Sequence, residues 1–255
     1  MSILCSEEEL RYNRQIMLRQ FDFDGQEALK KARVLVIGLG GLGCAASQYL
    51  AAAGVGHLTL VDDDKVEISN LARQILHDDQ RVGMDKVHSA ALSLQKLNPF
   101  LQTACINQRL NEQALLEQIC QHDIVLDCSD NLPTRNGLNQ LCFERKKPLV
   151  SGAAIRLEGQ ISVFTYKKDQ ACYQCLSQLF GEQNLSCAES GILSPVVGVI
   201  GAMQALETIK LITGLYKADN TTLLFFDALA SSWQTFALAK NSDCKVCAGV
   251  IRNEK

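Results

Sequence analysis

The chain has 255 residues, enough for one large α/β domain with a substantial core. Hydrophobic residues make up 47% and charged residues 21%, as in ordinary soluble globular proteins, and a net charge of −3 gives no electrostatic reason to expect nucleic-acid binding. The opening MSILCSEEEL shows no basic region leading into an apolar one, and the cysteine count is eleven, an odd number; together these point to a reducing cytosol, with thiols or metal ligands and not a disulfide framework.

Residues 6–20, with a capping serine and an acidic first turn, read as an amphipathic helix. Val34–Ile37 is an apolar β-branched run, the signature of a buried strand. Gly38, Gly40 and Gly43 then form G-x-G-x-x-G ahead of an alanine-rich helix reaching Ala53. A second apolar run, Leu58–Val61, ends on Asp62. That is the context a nucleotide-binding β-α-β unit requires: glycines for the tight turn, backbone N–H groups at a helix N-terminus for phosphate, and an acid placed for ribose hydroxyls.

Asp63–Gly83 is polar and without clear periodicity. Lys86–Leu97 reads as a helix stopping at Asn98-Pro99, Leu101–Ile106 as a strand and Glu112–Gln121 as a helix. Asp123–Asp127 is a short buried strand, followed by a turn, a helix from about Thr134 to Arg145, and a strand at Pro148–Ser151. This alternation implies a mostly parallel, Rossmann-like α/β sheet with flanking helices. From Gly159 the pattern changes. Gly159–Tyr166, Thr222–Asp227 and Ser232–Leu238 alternate apolar and polar residues, as antiparallel strands with one covered face do. Pro195–Thr213 is the longest apolar segment, but it starts at a proline and contains Gln204, Glu207 and Lys210, so a buried helix is expected and no membrane span.

Cys172-x-x-Cys175 and Cys244-x-x-Cys247 are two knuckles whose four thiolates can close a tetrahedral zinc site, provided the fold joins them. A redox role for one pair is the competing reading. Cys44, Cys105, Cys120, Cys128 and Cys142 fall in expected core elements, and Cys187 in an expected exposed loop. Arg73 and Lys86 follow Asp62, while Asp130 and Asn131 follow a parallel strand at the end where open α/β sheets bind ligands. Alone, Lys86 reads as a solvated helix lysine, Arg73 as a surface ion-pair partner and Asp130 as a helix N-cap. Their joint placement around one nucleotide turn points to a binding site. Arg14 reads as a surface charge on the first helix, and the four histidines show no ligand spacing.

The segments RYNRQIML, GLGGLGC, VDDDKVEISNLARQ, DCSDNLPTR and SGAAIRLEGQ, with the two cysteine pairs, resemble the bacterial adenylating enzymes related to ubiquitin activation, from about Arg11 to Cys247. CAASQYL, SGAAIRLEGQISVFTY and CYQCLSQLFGEQNLSCAESG resemble the branch serving molybdenum cofactor biosynthesis, with the thiamine-pathway branch and its own sulfur carrier as the alternative. The resemblance implies a cytoplasmic homodimer using ATP and Mg²⁺ to adenylate the C-terminal glycine of a small ubiquitin-like carrier ending in Gly-Gly, the small subunit of molybdopterin synthase. The products are an acyl-adenylate and pyrophosphate, and a separate sulfur donor acts afterwards. Residues 1–255 would form one domain, with a nucleotide-binding half, 1–152, and a carrier-binding and zinc half, 153–255. Gly41, Asp62, Ser69, Asn70, Leu71, Ala72, Arg73, Lys86, Asp130 and Asn131 match the family's nucleotide-binding positions. Arg14 matches an arginine that reaches into the partner's site, Cys172, Cys175, Cys244 and Cys247 match Zn²⁺ ligands, and Cys187 matches a cysteine that is dispensable in the molybdenum branch and forms a covalent acyl link with the carrier in the thiamine branch.

Two positions depart from the family pattern: Ala72 stands where a glutamine is usual, and Asp85 replaces a proline. The second would weaken ATP binding unless the Asp85 carboxylate points away from Lys86. The chemistry suits the residues. A carboxylate of pKa about 4 needs no general base, so the site must supply charge and alignment, from Arg14, Arg73 and Lys86 with Asp130 on magnesium. The competing enzyme class is a nicotinamide-dependent dehydrogenase, which needs an acid/base pair that does not stand out here. A non-catalytic scaffold would need none of the charged set.

Overall fold

The computed structural model describes residues 3–179 and 191–248. Five short segments become parallel strands, four of them apolar runs and β3 a half-buried one: β1 (Arg33–Ile37), β2 (His57–Val61), β3 (Gln102–Ile106), β4 (Ile124–Asp127) and β5 (Leu149–Ile155). Three alternating runs become antiparallel strands: β6 (Glu158–Phe164), β7 (Thr222–Asp227) and β8 (Ser232–Ala237). All eight form one sheet in the order β3-β2-β1-β4-β5-β6-β7-β8. The register is parallel from β3 through β5 and antiparallel beyond it.

Side chains along β1 alternate between two cores. Val34 and Val36 face one, with helices α3 (Gly41–Ala53), α4 (Lys86–Leu97) and α8 (Ser194–Ile212). Leu35 and Ile37 face the other, with α5 (Glu112–Gln121), α6 (Leu132–Arg145), α7 (Tyr173–Ser177) and the paired cysteines. Local chemistry fixes the helix ends. Asn111 and Asn131 cap α5 and α6 by accepting hydrogen bonds from Ala114 and Thr134 N–H groups. Gly54, at φ 94°, closes α3.

Several sequence expectations need correction. The expected helix 6–20 stops at Ile16, as α1 (Ser6–Ile16), and an unanticipated α2 (Asp22–Lys31) follows. No Gly or Pro marks that break. Burial of Phe21 sets it, its ring lying where a side chain at Gly25 would sit. The residue capping α1 is Cys5, not Ser6, and the Glu8 carboxylate accepts its N–H at 2.9 Å. β5 runs past Ser151 through Gly-Ala-Ala, residues with little strand propensity, because Gly152 fits beneath Gln204. Cys120 is exposed and Cys105 only half-buried, while Cys44, Cys128 and Cys142 are core residues as expected.

By length and composition α8 could cross a membrane, but it packs in the core instead. Gly201 lets it approach α3, since a Cβ there would meet the Leu42 carbonyl oxygen at 2.5 Å. Its buried Gln204 donates to the Asp127 and Val150 carbonyls at 2.8 and 3.3 Å. A polar residue in an apolar helix is thus satisfied by strand carbonyls of β4 and β5.

Candidate active site

The sheet order places a switch point between β1 and β4, since the chain leaves β1 for β2 on one side and returns to β4 on the other. A cleft of about 1060 Å³ opens there, beyond the C-terminal ends of the parallel strands. The glycine turn forms its floor. Gly38, at φ 92°, lies against the Cys128 carbonyl, and a side chain at Gly43 would collide with the Gly38 carbonyl. Gly41 packs against Val197 of α8. Gly40 differs: a Cβ there would meet only the Gln74 side chain, at 4.0 Å, so its open side faces the cleft. The N–H groups of the first turn of α3 follow directly, a ready phosphate cradle.

Asp62 follows β2 directly and lines the cleft. Its two carboxylate oxygens accept the Leu39 N–H at 2.6 Å and the Asp64 N–H at 2.9 Å, which ties β2 to the glycine turn. Burial raises its pKa, and the Leu39 and Lys86 contacts oppose the rise. Each oxygen keeps a lone pair for a ribose hydroxyl.

Lys86 opens α4 and is buried, with its ammonium on Asp64 at 2.7 Å. It is therefore no solvated helix lysine. Asp85 points away, toward Lys65 at 3.9 Å and His88 at 3.3 Å. Arg73 donates to the Ser69 carbonyl at 2.8 Å and lines the cleft with Asn70 and Gln74. Ser69, Leu71 and Ala72 do not reach it; Ser69 contributes the carbonyl that steers Arg73, and the Ala72 carbonyl accepts the Ser194 hydroxyl.

The opposite wall is built at the end of β4. Buried Asp127 accepts the Ser129 N–H and hydroxyl at 3.1 and 2.6 Å, and the Ser151 hydroxyl at 2.8 Å. Arg135 donates to the Ser129 carbonyl at 2.6 Å. The turn is therefore rigid, and it presents Asp130 to the cleft. The helix cap is Asn131, so the capping role read for Asp130 belongs to its neighbour. Asp130 is exposed, with only the Asn131 amide at 3.4 Å among its hydrogen bonds to described residues. Arg14 is exposed on α1 and does not line its own chain's cleft.

On the other face of the sheet the two cysteine knuckles meet. Cys172 and Cys244 Sγ lie 3.6 Å apart, and Cys175 and Cys247 Sγ 3.4 Å apart. All four Sγ atoms lie within 4.8 Å of one another, all buried. A tetrahedron with Zn–S of about 2.3 Å needs sulfurs about 3.8 Å apart. The set fits zinc, and the amides of Asn139 and Asn241 point N–H donors at Cys172 and Cys175 at 3.7 and 3.5 Å.

Sequence reasoning missed Arg135, Gln74 and Asp127 as parts of the site. Asp127 closes a strand read only as short and buried, and Gln74 ends the segment VDDDKVEISNLARQ, so position alone was available as a signal. The histidines, given no role, divide in two. His77 bonds Ser89 at 2.9 Å beneath the glycine turn, and His122 bonds Thr59, in the middle of β2, at 2.7 Å. Cys187 lies outside the described residues.

The sequence profile of the ThiF family matches residues 12–246. The chain is 54% identical over 247 residues to the molybdopterin-synthase adenylyltransferase of Escherichia coli (strain K12), covering 97% of this chain and 99% of that protein. It is 52% identical over 240 residues to the enzyme of the same name from Haemophilus influenzae, covering 94% and 99%. Among solved structures, E. coli MccB with ATP superposes with a TM-score of 0.80 at 22% identity, covering 95% of this chain and 75% of that one. That likeness is one of fold.

Proposed function

The chain belongs to the ThiF family, and from that premise we propose that it is an adenylyltransferase of molybdenum cofactor biosynthesis, activating the C-terminal glycine of a small ubiquitin-like carrier, the small subunit of molybdopterin synthase. One observation carries the reading. Gly40, Asp62, Arg73, Lys86 and Asp130, drawn from four separate segments, line one cleft at the switch point. ATP would lie with its ribose on Asp62 and its phosphates over the first turn of α3. Asn70 and Asn131 line the same wall.

The carrier carboxylate attacks the α-phosphorus. One carboxylate oxygen forms the new P–O bond, the bond to the bridging oxygen breaks, and pyrophosphate leaves with that electron pair. The nucleophile is already ionised, so no proton moves. Lys86 and Arg73, with Arg14 of the partner subunit, offset repulsion between the anions and stabilise the departing pyrophosphate. Magnesium neutralises phosphate charge when bound, and the exposed Asp130 carboxylate would hold it, keeping several waters on the ion.

Support for a homodimer comes from α1. Leu10 lies one turn before Arg14 on the helix, and Met17 and Leu18 follow in the turn that ends it; the three are between 56% and 77% exposed. Exposed apolar residues around a cation suit a surface covered by a second subunit. The four thiolates would hold a structural zinc with no open position for catalysis. A separate sulfur donor would act on the adenylate, and the compartment would be the cytoplasm. The 1–152 and 153–255 halves would divide nucleotide from carrier within one domain.

Carrier-dependent ATP–pyrophosphate exchange tests this. Exchange is expected with the molybdopterin synthase small subunit and is lost when its terminal glycine is removed. Exchange only with a thiamine-pathway carrier would move the enzyme to the sister branch.

A further inference from the structure

The third wall of the cleft is the hairpin joining β5 to β6, where Ile155 pairs with Glu158 across a two-residue turn, Arg156-Leu157. Arg156 sits in the left-handed region at φ 55°. Glycine or asparagine holds that position at less cost, and two-residue hairpin turns favour them. The backbone around it is pinned on both sides. Arg156 N–H donates to the Gly191 carbonyl at 2.9 Å, and Leu193 N–H to the Arg156 carbonyl at 3.0 Å. Arg156 lines the cleft and is exposed there, and among the described residues no ion pair engages it.

The charges explain why a guanidinium is useful at this turn. Lys86 is already on Asp64, and Arg73 is steered by Ser69, both on the phosphate side. On the hairpin wall the cleft is lined from Ala153 to Gln160 by small and apolar residues together with Gln160, Glu158 and Arg156, the last being the wall's one cation. An anionic tail approaching along that wall meets a carboxylate unless Arg156 offsets it. The wall is also coupled to the phosphate side: Leu193 bonds Arg156, and the next residue, Ser194, bonds the Ala72 carbonyl beside Arg73.

We propose that Arg156 is the docking cation for the carrier's C-terminal carboxylate. It takes one carboxylate oxygen and leaves the other free to face the α-phosphate. Strain held at a functional side chain is a recurrent arrangement, and here it serves to aim a guanidinium that a relaxed glycine turn lacks. The proposal rests on the adenylation reading and deepens it.

The test pairs Arg156→Gly with Arg156→Lys. Glycine relaxes the turn, so Arg156→Gly is expected to melt no lower than wild type. In pyrophosphate exchange its KM for the molybdopterin synthase small subunit should rise about tenfold to a hundredfold, the loss of one charge-assisted contact, with KM for ATP moving less than about twofold. Arg156→Lys, with the same backbone demand, should recover part of the loss. A second readout needs no catalysis. By calorimetry, wild type should bind the carrier about tenfold more tightly than the same carrier with a C-terminal amide, and Arg156→Gly should bind both alike. An unchanged carrier KM in Arg156→Gly, a parallel rise in KM for ATP, or surviving discrimination between carboxylate and amide would each overturn the proposal. Failure of wild type itself to bind the carrier or exchange pyrophosphate would overturn the adenylation reading, and this proposal with it.

Discussion

The two ends of the sheet are held by different means. From β3 to β5 the strands run parallel, and β1 and β4 are buried on both faces between helices. The loops that carry Asp62, Lys86 and Asp130 hang from that covered frame and are cross-tied by short bonds, such as Leu39 N–H to Asp62 and Ser129 to Asp127. From β6 to β8 the strands are antiparallel, and β8 is a largely exposed edge carrying Trp233 and Phe236, 42% and 47% accessible. What fastens this end is α8 and the cluster of four thiols. Charge is positioned where burial is continuous, and apolar surface is left open where it is not. The first arrangement suits alignment of a triphosphate, the second a protein partner.

The strongest way to break this contrast is to remove charge from the rigid end without touching its frame. Asp130→Ala should lower pyrophosphate exchange by about 10³-fold, while its melting temperature stays within about 2 °C of wild type because the side chain is exposed. Near-normal exchange would exclude Asp130 from the magnesium role. Next, Arg14→Ala and Arg73→Ala should each be inactive alone and complement when mixed. Random exchange makes half the dimers mixed, each owning one site with both arginines, so about a quarter of wild-type activity should return. No return, with subunit exchange verified by mass, would assign Arg14 to its own chain or to no site.

Zinc removal probes the other end. Chelation, or Cys244→Ser, should lower the melting temperature by about 10 °C or more, since structural zinc supplies ~10–16 kcal/mol of apparent binding energy in small peptides. Hydrogen exchange should accelerate first in β7 and β8 and last in β1 and β4. Uniform acceleration would mean that the two ends do not unfold separately.

Acid produces the smallest effect, and it acts on the rigid end. Burial lowers the pKa of His77 and of His122 below the ordinary 6.5. His122 Nδ1–H donates to the Gln118 carbonyl at 2.6 Å and Nε2 lies 2.7 Å from the Thr59 hydroxyl, while burial favours the neutral ring. The unfolded chain takes up protons below about pH 6.5 that the folded rings refuse. Their contribution is therefore fully present above that pH and declines as pH falls through it, by no more than about 1.4 kcal/mol per pH unit for each ring. Denaturant midpoints between pH 7.5 and 5.5 should fall less steeply in His122→Gln than in wild type at equal zinc loading. Equal slopes would remove His122 from the account.

The parallel end was legible because most of its strands are apolar runs stopped by a turn residue, and Gly38, Gly40 and Gly43 mark the turn that floors the cleft. Asp62, Lys86 and Asp130 could be placed by their distance from that turn. Their anchors could not be, because Arg135 acts through a backbone carbonyl, and Ser151 and Gln204 are brought to the end of β4 from elsewhere in the chain. The four zinc-ligand candidates were legible as two pairs, but their meeting across 72 residues is a product of topology. Nothing in Arg156-Leu157 announces a left-handed residue, since the local preference there is for Gly or Asn. The break between α1 and α2 was hidden for a similar reason: a buried Phe21 makes it, not a helix breaker.

The 72-residue separation between paired thiols also has a consequence in time. A ribosome adding about 5–20 residues per second emits Cys172 and Cys175 on the order of 4–15 s before Cys247. During that interval the parallel strands can already assemble, and α8 emerges apolar and without β7 beside its end of the sheet. Covering α8 therefore falls to β5 and β6 and to α3 through Gly201, and the four thiols can meet only after Cys247 has emerged.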